Sequence, residues 1–566
     1  MENKEWWKES VVYQVYPKSF QDSDGNGMGD VKGITQRLDY LKQLGVDVIW
    51  ISPVYKSPMD DGGYDIADYY TVDDMFGTNE DLDELLAQAE ARGMKVLMDL
   101  VVNHTSDEHE WFQQALQDPN SKYRDYYVFE EGIDGQPPNN WRTYFGESAW
   151  EPVPNEENMY YLHAFTKKQP DLNWENLEVR EEIYTMINYW LDKGLGGFRI
   201  DAILNIKKRI EKGFFEPDGE DGLVFIGHWI LNQPGIEVWL KEMNDRTFKP
   251  HNSMTVAEAN VPGERLKEYI GPDGFFSMVF DFSYTDIDVP STGEWFKFSG
   301  WTWELMKKHI FNNQLVTQEN GWGALYLENH DQPRSIDKYI PQADINDYSK
   351  KMLATLFMLL RGTPFIYQGQ ELGMTNIEMD SIDEYDDIAT HDQYSRAVLS
   401  GFSHEEALAA MNRRSRDNSR TPMQWDTSKN AGFSTAEKTW MKVNPNYPTI
   451  NAADELKQAD SVFHHYRQLV QLRRDSPYQD VIVYGKFVPL NEDVDETIVY
   501  QRELEQRKVL VAINYTNTMQ ITEIAEEFDH YLLGNYDQAK LAGGKLTLRP
   551  YESVVLANYK ERECES

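Results

Sequence analysis

The sequence KVLMDLVVNH (residues 95–104) begins as an apolar run and ends in polar residues, as a buried strand does at the edge of a parallel sheet. Similar runs recur on both sides of it, separated by amphipathic stretches typical of helices. The candidates are VVYQVYP (11–17), VDVIWISP (46–53), KVLMDLVV (95–102), GFRID (197–201), MTVAEA (254–259), FSMVFDF (276–282), ALYLEN (324–329) and TPFIYQG (363–369). This alternation predicts an α/β fold, a closed (β/α)8 TIM barrel.

Two segments interrupt or follow this alternation. Residues 105–175 are irregular, rich in Asn, Pro, Tyr and Trp, and too long for an ordinary loop, so we predict a small domain inserted after strand 3. Beyond the helical pattern at 461–474, the runs VIVYGKFVPL, TIVYQREL, KVLVAINY and KLTLRPYESVVL predict a C-terminal antiparallel β-sandwich. The expected division is a barrel of 1–104 and 176–480, an inserted domain of 105–175 and a sandwich of 481–566.

Charge and cysteine content exclude several classes of partner and site. The formal net charge of −40 would repel nucleic acid phosphates and an anionic membrane surface, so we expect neither as a partner. The single cysteine, Cys564, allows neither an intrachain disulfide nor a cysteine-based metal cluster. The start MENKEWWKES has no apolar leader, and no later run is apolar enough to span a bilayer. We therefore expect a cytoplasmic monomer.

Polar residues that close apolar strands indicate where the chemistry lies, because the carboxyl ends of barrel strands surround the site. Such endings supply Asp99 with Asn103 and His104, Arg199 with Asp201, Glu258, and His330 with Asp331. Any single carboxylate of this set could instead cap the following helix, but capping does not account for Arg, His and carboxylates on successive strand ends.

Converging carboxylates raise one another's pKa, which glycoside hydrolysis can use. Retaining hydrolysis needs a nucleophile and a proton donor about 5 Å apart. Asp201 suits the nucleophile, because Arg199 lies two residues earlier on the same strand face and can keep it ionised. Glu258 suits the acid/base.

The motifs DLVVNH, GFRID, AEAN and ENHD, in this order, resemble those of the α-amylase superfamily, glycoside hydrolase family 13. The similarity extends over nearly the whole chain. QVYPKSF, GYDIADY, QPDLNWEN, YDD and SRDNSRTPMQWD resemble the oligo-1,6-glucosidase and α-glucosidase branch. The resemblance implies an exo-acting retaining α-glucosidase that acts on short oligosaccharides, with no organic cofactor.

The resemblance also implies roles for individual residues. Asp201 would form the covalent glucosyl intermediate, Glu258 would act as general acid/base, and Asp331 would fix sugar hydroxyls. Tyr64 would stack on the glucose ring, while Asp65 and Arg416 would grip the non-reducing end and close the pocket. The remaining substrate-binding residues implied are His104, Arg199, His330, Gln169 and Ala202.

The segment DSDGNGMGD (22–30) places oxygen donors at alternate positions, as in the first part of a calcium loop. The donors are Asp22, Asp24, Asn26, the carbonyl of Met28, and Asp30. Gly33 stands where an EF-hand has its bidentate Glu, and an acidic Gly-rich turn without metal is the alternative. We expect Ca²⁺ or Mg²⁺, with the structural role that the resemblance implies.

Linkage preference and reaction outcome stay open at this point. Related enzymes that prefer α-1,6 bonds usually have Val where this chain has Ala202, which weakens an assignment as a simple isomaltase. We expect residues 205–229 to line the leaving-group subsite. A sucrose isomerase or transglucosidase is one alternative, but SIDKYI (335–340) lacks the Arg/Asp loop of those enzymes. A trehalose-6-phosphate hydrolase is another, and a non-catalytic binding homologue would be expected to lack Asp201 or Glu258.

Overall fold

The computed structural model describes residues 4–219, 221–290, 292–525 and 527–559. Cys564 therefore lies outside the described residues.

The predicted eight-stranded parallel barrel is confirmed, with one strand at each predicted position. Neighbouring strands pair in parallel, and a bridge between Val279 and Gly323 closes the ring. The barrel strands are Val12–Val15, Val48–Ile51, Lys95–Val101, Gly197–Asp201, Met254–Ala257, Met278–Val279, Ala324–Leu325 and Thr363–Tyr367.

Each barrel strand is followed by helix that covers the outside of the sheet. Asn79–Ala91 shows why these segments are helical: Thr78 and Asp81 form a capping box at its start, and its apolar side chains recur on the buried face. The covering helices are Val31–Gln36 with Leu38–Leu44, Asn79–Ala91, Leu177–Asp192, Ile236–Met243, Leu266–Ile270, Trp303–Asn320, Asp347–Met358 and Val462–Arg474. Further helices near the strand ends and in the connections are Pro17–Phe20, Glu110–Gln117, Gly227–Ile230, Ser335–Tyr339, Ile388–Leu399, His404–Arg414, Asp417–Arg420 and Ala452–Glu455.

The inserted domain has its own small core, which extends beyond the predicted range of 105–175. Its strands are Phe129–Glu131, Trp141–Arg142, Trp150–Pro152 and Met159–Leu162. Val224–Phe225 pairs with Trp141–Arg142, and Trp229 stacks on Trp141 at a ring-centroid distance of 5.1 Å. The predicted boundary missed this second segment because residues 210–230 follow the fourth barrel strand and return to the insertion only in space.

The C-terminal domain consists of two antiparallel sheets that pack face to face through Val499, Leu510, Leu546 and Val554. One sheet contains Lys486–Pro489, Thr497–Leu504, Arg507–Asn514, His530–Gly534 and Ser553–Ala557, and the other contains Gln520–Glu523, Lys540–Ala542 and Lys545–Leu548. One prediction is wrong in detail. The residues VIVY (481–484) end the helix Gln479–Tyr484, and the strand begins only after Gly485. Their side chains are apolar in either conformation, so a short run of this kind does not distinguish strand from helix.

A two-stranded hairpin, Tyr55–Lys56 with Asp68–Val72, lies beside the carboxyl ends of the barrel strands. Among the described residues, no helix has both the length and the apolar character that crossing a bilayer requires.

Candidate active site

The guanidinium of Arg199 holds three carboxylates at the carboxyl end of the barrel. Its Nη1 lies 2.7 Å from Asp99 Oδ1 and 2.6 Å from Asp201 Oδ1, while Nη2 lies 2.9 Å from Glu258 Oε1. The parallel register places Arg199 opposite Asp99, so the two side chains meet at the same level of the barrel. One buried cation therefore fixes the two carboxylates predicted to react.

The backbone at Ala202 brings the same two carboxylates together. Ala202 adopts a left-handed conformation with φ of 42°, which ends the strand directly after Asp201. Its amide then donates a hydrogen bond to Glu258 Oε2 at 3.2 Å. Ile200 pairs with Ala257 across the neighbouring strands, so Asp201 and Glu258 are the next residue on each.

The surroundings of Asp201 and Glu258 raise the pKa values of the two carboxyls to different extents. Burial raises the pKa of Asp201 to about 6, against the lowering effect of Arg199 and with a further increase from Asp99. Burial raises the pKa of Glu258 to about 7, again opposed by Arg199, and the charges of Asp201 and Asp331 raise it further. Asp201 therefore loses its proton first. Between these values Glu258 keeps a proton while Asp201 is charged, which is the pairing that a nucleophile and an acid need.

The pKa of Asp331 is shifted in the opposite direction, below the usual range. Its Oδ1 lies 2.9 Å from Arg420 Nη2 and 3.2 Å from Arg416 Nη1, and its Oδ2 lies 3.2 Å from His330 Nε2. Although burial raises its pKa, the neighbouring His330 and the charges of Arg416 and Arg420 outweigh burial and hold that pKa well below the usual range. Asp331 is thus a permanent anion suited to accept hydrogen bonds from sugar hydroxyls.

His330 and Tyr64 form a flat, buried surface beside these carboxylates. Their rings stack at 5.4 Å with an interplanar angle of 11°, and the Tyr64 hydroxyl lies 2.6 Å from His330 Nε2. Burial lowers the pKa of His330 to about 3, so the imidazole is neutral at ordinary pH. Gln14 Nε2 lies 2.8 Å from its other nitrogen and fixes the ring.

The structure corrects the predicted partner of Arg416. Asp65 makes no contact with Arg416 in the described part of the chain. It is fully buried and accepts hydrogen bonds from the amides of Asp60 and Asp61, at 2.8 and 3.1 Å. The residue that reaches Arg416 is Asp61, at 3.2 Å. The turn formed by DDGGYD directs Asp65 back under the loop, where it caps the backbone, and directs Asp61 towards the barrel mouth.

His104 and Gln169 complete the wall next to Asp61. His104 Nε2 lies 3.0 Å from the carbonyl of Tyr64, and Gln169 Nε2 donates to Asp61 Oδ2 at 3.2 Å. Gln169 comes from the inserted domain, so that domain forms part of the pocket.

Most of the predicted substrate-binding residues thus meet at one pocket, and Asp65 lies beneath it. The ones brought together are Tyr64, His104, Gln169, Arg199, Ala202, His330 and Arg416, around Asp201, Glu258 and Asp331.

Sequence reasoning missed three residues of this pocket, Asp61, Asp387 and Arg420. Asp387 Oδ1 lies 2.5 Å from Arg416 Nη2 and is held ionised, because Arg416 and Arg420 lower its pKa to about 2 against the effect of burial. All three lie in or beside motifs already singled out, GYDIADY, YDD and SRDNSRTPMQWD. The second Arg of the last motif was the available signal for Arg420.

The predicted metal loop forms a separate cluster. Carboxylate oxygens of Asp22, Asp24 and Asp30 all lie within 4.8 Å of one another. Asp22 accepts hydrogen bonds from the amides of Asp24, Gly25 and Gly27, which curl the loop around it. Asn26 Oδ1 accepts a hydrogen bond from the Met28 amide at 2.8 Å. The carboxylate set fits a hard divalent cation such as Ca²⁺ or Mg²⁺.

Comparison with known proteins agrees with this architecture. The family described as "Alpha amylase, catalytic domain" matches residues 14–485, and "Alpha-amylase SusG C-terminal domain" matches residues 498–555. The chain is 44% identical to the oligo-1,6-glucosidase of Bacillus cereus over 560 residues, which cover 98% of this chain and 99% of that protein.

Two solved structures have the same fold over their full length. A trehalose-6-phosphate hydrolase of Bacillus licheniformis is 39% identical with a TM-score of 0.90, and the match covers 98% of this chain and 100% of that one. An isomaltulose synthase of a Klebsiella species is 37% identical with a TM-score of 0.92, at the same coverage.

Proposed function

The chain belongs to the α-amylase family, glycoside hydrolase family 13, and from that membership we propose that it is an exo-acting retaining α-glucosidase. Its substrates would be short neutral α-glucosides, from which it releases glucose at the non-reducing end. The observation that carries this proposal is the guanidinium of Arg199, which holds Asp201 and Glu258 on its two terminal nitrogens. Retaining glycosidases need such closely spaced carboxyls, about 5 Å apart.

In the first step Asp201 attacks C1 of the terminal glucose while Glu258 gives its proton to the glycosidic oxygen. The C1–O bond breaks, the leaving sugar departs as an alcohol, and a covalent glucosyl ester forms on Asp201. In the second step Glu258, now ionised, takes a proton from water as the water attacks C1. The ester bond breaks, and both carboxyls return to their starting states.

Arg199 and Ala202 favour this exchange of roles. Arg199 touches both carboxyls, so it stabilises whichever carries the charge at each stage. The Ala202 amide donates to Glu258 Oε2, the oxygen that does not contact Arg199, and so fixes the orientation of the acid.

Exo-action follows from how the pocket ends. Arg416 bridges Asp61, Asp331 and Asp387, and this ion cluster lies where a further sugar beyond the terminal glucose would have to pass. Its carboxylates and guanidinium offer charged hydrogen bonds to the hydroxyls of a terminal glucose.

A neutral leaving group is favoured over a phosphorylated one, because the cations next to the Asp331 loop are already paired. Arg414 lies 3.0 Å from Asp286 and Lys338 lies 3.5 Å from Asp288. A phosphate group would have to compete with these carboxylates.

The same Lys338 lies on the helix Ser335–Tyr339, in the segment where sucrose isomerases have their charged loop, and its side chain is buried. Hydrolysis is therefore proposed in preference to isomerisation.

We also propose that the Asp22, Asp24 and Asp30 cluster binds a structural Ca²⁺ or Mg²⁺. The ion would neutralise converging carboxylates in the loop after the first barrel strand, and Asn26 and the Met28 carbonyl would complete its ligands. We propose a cytoplasmic location, which is supported by the single cysteine in 566 residues, and a monomeric state.

Initial rates on maltose, isomaltose, sucrose, trehalose and trehalose 6-phosphate would test the proposal. The expected result is glucose release from neutral disaccharides with no activity on the phosphorylated one. An anomeric assay by NMR should show that the first product is α-glucose, since double displacement retains configuration. Release of β-glucose, or preference for trehalose 6-phosphate, would contradict it.

A further inference from the structure

A cavity of about 410 Å³ lies between the inserted domain and the barrel, outside the pocket of Asp201 and Glu258. Its lining residues include Tyr127, Phe129, Trp174, Trp239 and Lys208. The side chains of Tyr127, Trp174 and Trp239 are buried. The volume lies within the range of small-molecule sites, about 300 to 1,000 Å³.

The cavity is separated from the glucose pocket by one layer of buried side chains. Lys208 Nζ lies 2.9 Å from Asn103 Oδ1, and Asn103 Nδ2 lies 3.2 Å from His104 Nδ1. The opposite side of the His104 ring faces the carbonyl of Tyr64, in the glucose pocket. The two spaces are therefore back to back, and a molecule in the cavity would not overlap one at Asp201.

Several polar groups around the cavity have unused hydrogen-bonding capacity. Among the described residues, the indole Nε1 of Trp239 has no acceptor, and the carboxylates of Asp125 and Glu131 have no donor or ion-pair partner. Asp125 and Glu131 are exposed, so they lie at the cavity's rim. A ligand that both donates and accepts hydrogen bonds would match these groups.

The cations of the cavity are already neutralised. Lys208 lies 3.2 Å from Asp171, and Arg124 makes a two-pronged pair with Glu156 at 2.8 and 2.7 Å. An anionic ligand would meet free carboxylates at the rim and no free cation within, and a purely apolar ligand would leave the carboxylates and the indole N–H unpaired. An indole N–H donor combined with carboxylate acceptors suits a neutral polyhydroxyl compound.

We propose that this cavity is a second sugar site, which binds a neutral mono- or disaccharide independently of the catalytic pocket. The hydroxyls of the sugar donate hydrogen bonds to Asp125 and Glu131, and a sugar oxygen accepts a hydrogen bond from the Trp239 indole N–H. The site takes part in no bond cleavage.

Isothermal titration of the Asp201→Asn variant with maltose tests the proposal, because that variant cannot consume the sugar. Two binding events per chain are expected. Adding Trp239→Phe with Asp125→Asn should abolish one binding event. The first substitution keeps an aromatic ring at 239, and the second keeps the size of the side chain at 125. The matched control is Trp301→Phe, a half-buried tryptophan that does not line the cavity, and it should leave both events in place.

A single event in Asp201→Asn, or two events that survive Trp239→Phe with Asp125→Asn, would overturn the proposal. Adding Asp61→Asn instead should weaken only the event at the catalytic pocket, so failure of the α-glucosidase assignment and failure of the second site give different titrations. A crystal of Asp201→Asn soaked in maltose gives a second readout. Sugar density beside Trp239 is expected, and density at Asp331 alone would count against the site.

Discussion

Arg416 and Asp61 form an ion pair at 3.2 Å, although they lie 355 positions apart in the chain. Asp387 binds the same guanidinium nitrogen from the other side at 2.5 Å. The cluster joins the hairpin loop after the second barrel strand to the segment after the eighth, so it ties both ends of the barrel sequence together at the pocket. Its charges point to where the terminal glucose would lie.

Replacing Asp61 by Asn should impair catalysis with little effect on folding. A charged hydrogen bond to a sugar hydroxyl contributes about 1.5 to 3 kcal/mol, so kcat/KM should fall by roughly 10- to 100-fold, mainly through KM. Asp65→Asn is the matched variant. It replaces one of the two oxygens that accept from backbone amides with an NH2 donor, so it should lower the free energy of unfolding by about 1 to 2 kcal/mol. Steady-state kinetics and thermal unfolding of the two proteins separate these roles, and a larger kinetic defect in Asp65→Asn would reverse the assignment.

The sequence did not reveal that Asp61, and not Asp65, is the partner of Arg416. DDGGYD contains three carboxylates within six residues, and the motif alone does not show which one faces the pocket. The direction depends on the turn, in which Gly62 and Gly63 both have positive φ, 59° and 100°. By contrast, residues at strand ends were placed correctly, because the parallel barrel fixes the direction of each strand's carboxyl end.

Asp201→Asn should reduce kcat by about four orders of magnitude or more on every substrate, since the covalent step loses its nucleophile. Glu258→Gln should lower kcat on maltose by about 10²- to 10⁴-fold, because the leaving group of maltose needs a proton. It should cost much less in the first step with 4-nitrophenyl α-glucoside, whose leaving group departs without one. The initial burst of 4-nitrophenolate measures the rate of the first step. Azide replaces water as the nucleophile of the second step, so that the two steps can be measured separately. Equal losses on both substrates in Glu258→Gln would argue against its role as the acid.

The pH dependence of kcat/KM should be bell-shaped, with limbs near 6 and 7. Activity should rise as pH passes about 6, because Asp201 must lose its proton to attack. It should fall as pH passes about 7, because Glu258 must keep its proton to donate it. Since the two carboxyls interact, the measured values belong to the pair. In Glu258→Gln the alkaline limb should disappear while the acidic limb stays, and an unchanged profile would show that another group supplies the proton.

The limits of the fold prediction have equally local causes. Strands of the barrel were located because each is an apolar run followed by a polar end. The extension of the inserted domain to residues 210–230 could not be predicted, because its contacts join segments on either side of the fourth barrel strand. The residues VIVY at 481–484 were assigned to a strand because β-branched runs favour strands. Here they end a short helix between barrel and sandwich, on which Val481, Ile482 and Val483 are buried.

Removal of a divalent cation should destabilise the protein without directly changing catalysis. An ion present at about 100 times its Kd adds about 2.7 kcal/mol to the free energy of unfolding. A chelator should therefore lower the unfolding midpoint, and added Ca²⁺ or Mg²⁺ should restore it. Asp24→Asn, at an exposed position of the loop, should weaken this response while kcat/KM at low temperature stays unchanged. Identical midpoints with and without chelator would mean that DSDGNGMGD is an acidic turn that binds no ion.

Ala202 links bond preference to backbone strain, because its left-handed φ of 42° is what brings its amide to Glu258. A β-branched residue is costly in this conformation, about 1 to 3 kcal/mol, so Ala202→Val should lower the free energy of unfolding by that order. The added methyl groups lie next to the nucleophile, and their effect on selectivity is expected to be of similar size, about 1 to 3 kcal/mol. We expect the ratio of kcat/KM for isomaltose to that for maltose to rise by about 10-fold. Ala202→Gly is the control, since it keeps the amide and relieves the strain without adding methyls, and it should leave that ratio nearly unchanged. If both variants moved the ratio equally, backbone geometry at 202, and not side-chain bulk, would set the preference.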